Sequence, residues 1–165
     1  MCIRDSTVPA PPVFRIVFDC SQGIRTLSDV LCNMLETVDI QITVTPQFKG
    51  ILVEAIDSKQ VCLIAAQLKA DVTMENCEHT SICVNTKTFS CCIRSAQPHY
   101  SISLESIPNS SAVKIMAYES LSNTSITKFT LPTLVCEQEP TRLKDSEYKY
   151  HIDCETSVIK GIVRM

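Results

Sequence analysis

The sequence predicts an α+β domain of antiparallel sheets with two helices on one face. Three observations carry this. The stretch Val38 to Thr45 alternates strictly between apolar and polar side chains. Two other stretches repeat apolar residues at helical spacing. The remaining strand-like runs follow one another through short polar turns, the pattern of antiparallel meanders rather than of parallel crossovers.

Val13 to Cys20 is rich in β-branched and aromatic residues and reads as the first strand. Ser21 is placed to cap a helix in which Ile24, Leu27, Leu31, Met34 and Leu35 form one apolar stripe. Arg25, Thr26, Ser28, Asp29, Cys32, Asn33 and Glu36 make up its polar face. Val38, Ile40, Ile42 and Val44 then define a half-buried strand. Pro46 to Gly50 turns the chain, and Ile51 to Ile56 and Val61 to Lys69 are two further strands joined by a tight link. The second, apolar on both faces, reads as central.

Asp71 to His79 is polar and reads as loop, followed by a short strand at Ser81 to Val84. Asn85 to Ala96 gives the second helix, with Phe89, Cys92, Ile93 and Ala96 inside and Lys87, Ser90, Cys91 and Arg94 outside. Tyr100 to Glu105, Val113 to Tyr118 and Ser125 to Leu131 are three closing strands. The expected order is strand, helix, four strands, helix, three strands. Pro132 to Ser146 reads as an exposed linker. Glu147 to Cys154 and Glu155 to Met165 open a strand and a helix again, as though a second copy of the domain began there.

The chain has 165 residues, 45% of them hydrophobic, which is enough for one full core and part of a second. Its net charge of −3 does not favour a free-standing nucleic-acid binder, yet permits basic residues concentrated on one face. Ten cysteines raise the alternative of a small secreted disulfide domain. Most of them sit inside apolar runs, where cysteine behaves as a small hydrophobe, and the first apolar stretch is broken by prolines, unlike a signal peptide. Reduced, intracellular thiols are therefore expected. No apolar run approaches the ~20 residues of a membrane span. Met1 to Ser6 reads as a translated sequencing adapter and residues 1–12 as a disordered lead, while the end at Met165 falls inside a helical pattern, as in a truncated gene model.

Catalytic patterns are weak. With only three glycines, the chain has no phosphate-binding loop, and no paired-carboxylate or Ser/His/Asp arrangement stands out. Cys77, His79 and Cys83 match no common zinc spacing. Asn109 and Asn123 head glycosylation triplets of a kind that arises by chance in Ser/Thr-rich loops. The adjacent Cys91 and Cys92 must point to different sides of their helix. No enzyme, cofactor or metal is expected.

The segment from Gly50 to Leu63 (GILVEAIDSKQVCL) resembles a motif of the DNA sliding clamps of the proliferating-cell-nuclear-antigen type. Val84-Asn85 with the helix from Phe89 to Ala96 is similar to their second helix, and Phe129-Thr130-Leu131 with Glu147-Tyr148 to their interdomain region. The resemblance runs from Phe14 to Met165. It implies an N-terminal clamp domain over 13–131, an interdomain connecting loop over 132–146 and the start of a second domain over 147–165. It further implies a closed ring, a homotrimer in the simplest case, that encircles duplex DNA in the nucleus without reading its sequence and recruits polymerases, ligases and nucleases through short peptide motifs.

Residue by residue, the resemblance places Arg25, Lys87 and Arg94 facing DNA. It places Ile56, Gln60, Val61 and Leu143 in a partner-peptide pocket whose remaining wall comes from a later part of the family's chain. It puts Thr127, Phe129 and Leu131 on the strand that pairs with a neighbouring subunit. Thr26, Cys32 and Cys91 stand where the family has lysines, so the hole is expected to be less basic, as in a checkpoint-type clamp subunit for DNA-damage signalling.

Overall fold

The computed structural model describes residues 13–56, 63–75, 77–119 and 124–135. Eleven elements follow in order. They are β1 (Phe14–Phe18), α1 (Gln22–Met34), β2 (Thr37–Val44), β3 (Lys49–Ile56), β4 (Leu63–Lys69), β5 (Asp71–Met74), β6 (His79–Asn85), α2 (Thr86–Arg94), β7 (Ser101–Ser106), β8 (Ala112–Tyr118) and β9 (Ser125–Pro132). The strands form two antiparallel sheets, one ordered β5-β1-β7-β8-β9 and the other β4-β3-β2-β6. The α+β expectation of antiparallel sheets with two helices holds.

Alternation builds the shared core. Phe14, Ile16 and Phe18 of β1 are buried, as are Val38, Ile40 and Ile42 of β2, Ile51 and Val53 of β3, Ile102 and Leu104 of β7, and Val113 and Ile115 of β8. The helices add Ile24, Leu27, Leu31, Phe89 and Ile93 to the same cluster. Burying one face of each sheet and one stripe of each helix in a single cluster fixes which side of every element remains for solvent or partners.

Three expectations need correction. Asp71 to His79 is not all loop. β5 pairs antiparallel with β1, Ile16 facing Val72, and β6 starts at His79. Val72 is the one buried residue of β5, so its alternation is too short to read in sequence. β4 is an edge strand of its described sheet rather than a central one. Its apolar look comes from Ala65 and Ala66, and Ile64 is its one buried residue. The turn expected over Pro46 to Gly50 ends earlier, since β3 already includes Lys49 and Gly50.

The polar faces also differ from expectation. Ser28 and Ser90 are buried rather than external, because α1 and α2 pack directly on each other there. Ser103 is fully buried because β7 lies between β1 and β8. Ser21 does not cap α1 with its side chain, and its hydroxyl donates instead to the Gln97 carbonyl at 2.7 Å. Asn85 does cap α2, accepting from the Thr88 amide at 3.0 Å.

Thr86 ties the helices together at that same end. It is fully buried, its hydroxyl is shared between the carbonyls of Leu35 and Glu36, and its amide donates to Glu36 O at 3.0 Å. These carbonyls close the α1 terminus and have no partner within the helix. Thr86→Val keeps the shape and removes the hydroxyl. It is expected to lower unfolding free energy by about 1–2 kcal/mol in urea denaturation, with an unchanged m-value.

Candidate interaction surfaces

The helix pair presents the first surface. Arg25 of α1 reaches the far end of α2, Asp29 meets the middle and end of α2, and Glu36 meets its start at Thr86. The helices are thus antiparallel. The Arg25 guanidinium donates to the carbonyls of Ala96 and, at 3.2 Å, Arg94. Those carbonyls close α2 and lack helical partners, so a cation there satisfies both hydrogen bonding and the helix dipole.

Arg94 Nε donates to Asp29 Oδ1 at 2.6 Å, and the Ser90 hydroxyl approaches the same oxygen at 3.4 Å. The hydrogen bond to Asp29, then its charge, pushes the Arg94 guanidinium further up. Two of the three cations expected to face DNA are therefore engaged in the seam between the helices. The third, Lys87, is exposed in the first turn of α2 with no polar partner among the described residues.

A second surface lies on the outer face of the smaller sheet. Ile56 at the end of β3 is 42% exposed. Its register partner across the hairpin is Leu63, 45% exposed. The two side chains stand together on the side away from the core, because Ile51 and Val53 of β3 turn inward. Leu63 was not assigned to the pocket from sequence. The signal for it was the even alternation that carries Ile56 and Leu63 to the same face. Gln60, Val61 and Leu143 lie outside the described residues.

β9 forms the third surface. It is an edge of the larger sheet as described, bonded to β8 on one side. Thr127, Phe129 and Leu131 all turn toward the core, and Leu131 is 1% exposed. Ile126, Lys128 and Thr130 point outward. The three residues expected at an interface thus lie on an edge strand among the described residues, and it is the main-chain edge, not the side chain of Leu131, that is open there. Past β9 the chain crosses to the other sheet, where the Leu134 amide donates to Cys83 O at 2.8 Å. Of the linker expected over 132–146, residues 136–146 lie outside the described residues.

No disulfide joins the described cysteines. Among the described residues no cluster of three metal-ligating side chains occurs, and no helix is long and apolar enough to cross a membrane.

The arrangement of two helices and two antiparallel sheets is the sliding-clamp domain fold. The chain is similar to the crystal structure of the proliferating cellular nuclear antigen from Entamoeba histolytica, with a TM-score of 0.67 and 16% sequence identity over 81% of this chain and 52% of that one. It thus spans about half the length of that structure. No protein-family model matches the sequence, and no curated protein does.

Proposed function

We propose that the chain belongs to a sliding-clamp subunit, a binding scaffold whose work is to encircle duplex DNA and hold partner proteins beside it. The observation that carries this reading is the fold, shared with a clamp over 81% of the chain. In this reading residues 13–131 are the N-terminal clamp domain, 132–146 the connecting loop and 147–165 the start of a second domain. The helix pair faces DNA through Lys87, with Arg25 and Arg94 lending charge from the seam. β9 pairs edge to edge with a neighbouring subunit, which also covers an otherwise open strand. Ile56 and Leu63, with Gln60, Val61 and Leu143, receive the aliphatic and aromatic anchors of short peptides from polymerases, ligases and nucleases. Tethering of this kind raises local partner concentration without chemistry. The site of action is the nucleus.

A checkpoint-type clamp subunit is the second reading, favoured by the commitment of Arg25 and Arg94 to protein contacts. With fewer phosphates neutralised, sequence-independent DNA binding is weaker and less salt-dependent.

Peptide binding separates the two. Protein expressed from the complete transcript is titrated with a labelled peptide bearing one aliphatic and two aromatic anchors. The replication reading expects saturable binding that weakens at least tenfold, or about 1.4 kcal/mol, in Ile56→Asp and in Leu63→Asp. No binding by the intact protein turns the assignment to the checkpoint type.

A further inference from the structure

The helix seam holds a second chemistry, in its thiols. Asp29 of α1 meets Arg94 of α2 at 2.6 Å, and the helices are antiparallel. One turn further along α1 is Cys32, and one turn back along α2 is Cys91. Stepping three residues in each direction keeps both on the side that carries the Asp29–Arg94 pair. Beyond them the next fixed contact is Thr86 with Glu36, so the two cysteines occupy a stretch pinned at both ends. Buried Ser28 and Ser90 are small and let the two backbones approach. A disulfide needs such an approach, with Cα atoms roughly 4.4–6.8 Å apart.

The surroundings agree. Cys91 is exposed and Cys32 half-buried, so a small oxidant reaches them. Cys32 and Cys91 are both among the lesser causes that push the Arg94 guanidinium up, after Asp29, in keeping with their place on its side of the seam. The neighbouring Cys92 turns partly inward, and burial, then Cys91, pushes its thiol up.

We propose that Cys32 and Cys91 form an oxidisable dithiol, a modification site that hydrogen peroxide converts to a disulfide between α1 and α2. The Cys91 sulfur attacks one peroxide oxygen. An S–O bond forms, the O–O bond breaks, and hydroxide leaves as water with the thiol proton. The Cys32 sulfur then attacks the resulting sulfenic sulfur. An S–S bond forms, the S–O bond breaks, and a second water carries off the oxygen with the Cys32 proton. Two electrons pass from the thiols to one peroxide.

The test uses the full chain, reduced, treated with a small excess of hydrogen peroxide, alkylated and cut with trypsin. Cys32 falls in peptide 26–49, and Cys91 with Cys92 in peptide 88–94. The expected product is these two peptides linked within one chain and separated again by a phosphine reductant. The link persists in Cys92→Ser and is lost in Cys91→Ser and Cys32→Ser, each checked for folding by circular dichroism. Fragment spectra of the wild-type linked peptide assign the sulfur directly, so a variant that fails to fold does not decide the matter. A link that persists in Cys91→Ser, a link only between two chains, or oxidation of Cys91 to the sulfinic acid without a link overturns the proposal.

Discussion

Gly50→Ala is expected to destabilise the domain by about 4 kcal/mol or more, a size reserved for strain that the structure cannot relax. Gly50 sits within β3 at φ +153°, and a Cβ there meets the Leu68 carbonyl oxygen at 2.0 Å. The Leu68 carbonyl carbon and Phe48 Cζ follow at 3.0 Å. Phe48 can rotate, but the backbone of Leu68 cannot, since it is paired with Ile51. The β3–β4 ladder must therefore open or slip. Chemical denaturation measures the loss, and amide exchange along β4 locates it. A cost below about 1 kcal/mol would mean that the β3–β4 register is not the one described. In the proposed reading peptide binding is coupled to this position, because a one-residue slip in β4 carries Leu63 to the face opposite Ile56.

Phe89→Ala is expected to cost about 3–5 kcal/mol. Phe89 is among the largest fully buried side chains and lies in the middle of α2. With nine residues, α2 is too short to be stable by propensity, so it stands on its packing, its Asn85 cap and the Arg25 contact at its far end. Removing the ring leaves a cavity beneath the helix pair. Calorimetry or denaturant unfolding checks the magnitude. Phe89→Leu, which keeps most of the volume, is expected to lose less than half as much. Equal losses would show that ring shape rather than volume is what the site requires.

Much of this fold is written locally. The alternation of Val38, Ile40, Ile42 and Val44 gave β2 directly, and the stripe of Ile24, Leu27 and Leu31 gave the buried side of α1. What escaped was set by partners far away in the chain. β5 holds one buried residue and is a strand because β1, some sixty residues earlier, lies beside it. Ser28 and Ser90 read as exterior because hydroxyls usually are, and only helix-on-helix contact buries them.

The candidate surfaces divide the same way. Ile56 was assigned through the resemblance, and its pairing with Leu63 needed the register. Arg25 and Arg94 were correctly placed on helices, but their engagement with Ala96 and Asp29 depends on which helix ends meet. A charged residue's exposure can be guessed from its neighbours in sequence, whereas its freedom depends on its neighbours in space.

The edge of β9, open among the described residues, has a consequence for variation. Its donors and acceptors are main-chain groups, identical at every residue but proline, while Leu131 and Phe129 are held by their own domain. A strand docking there meets a ruler rather than a lock. Its length and its match to Ile126, Lys128 and Thr130 matter, and most of its sequence does not. Such a join tolerates extensive drift in both partners, and discrimination among related partners rests on a few outward side chains beside the ladder.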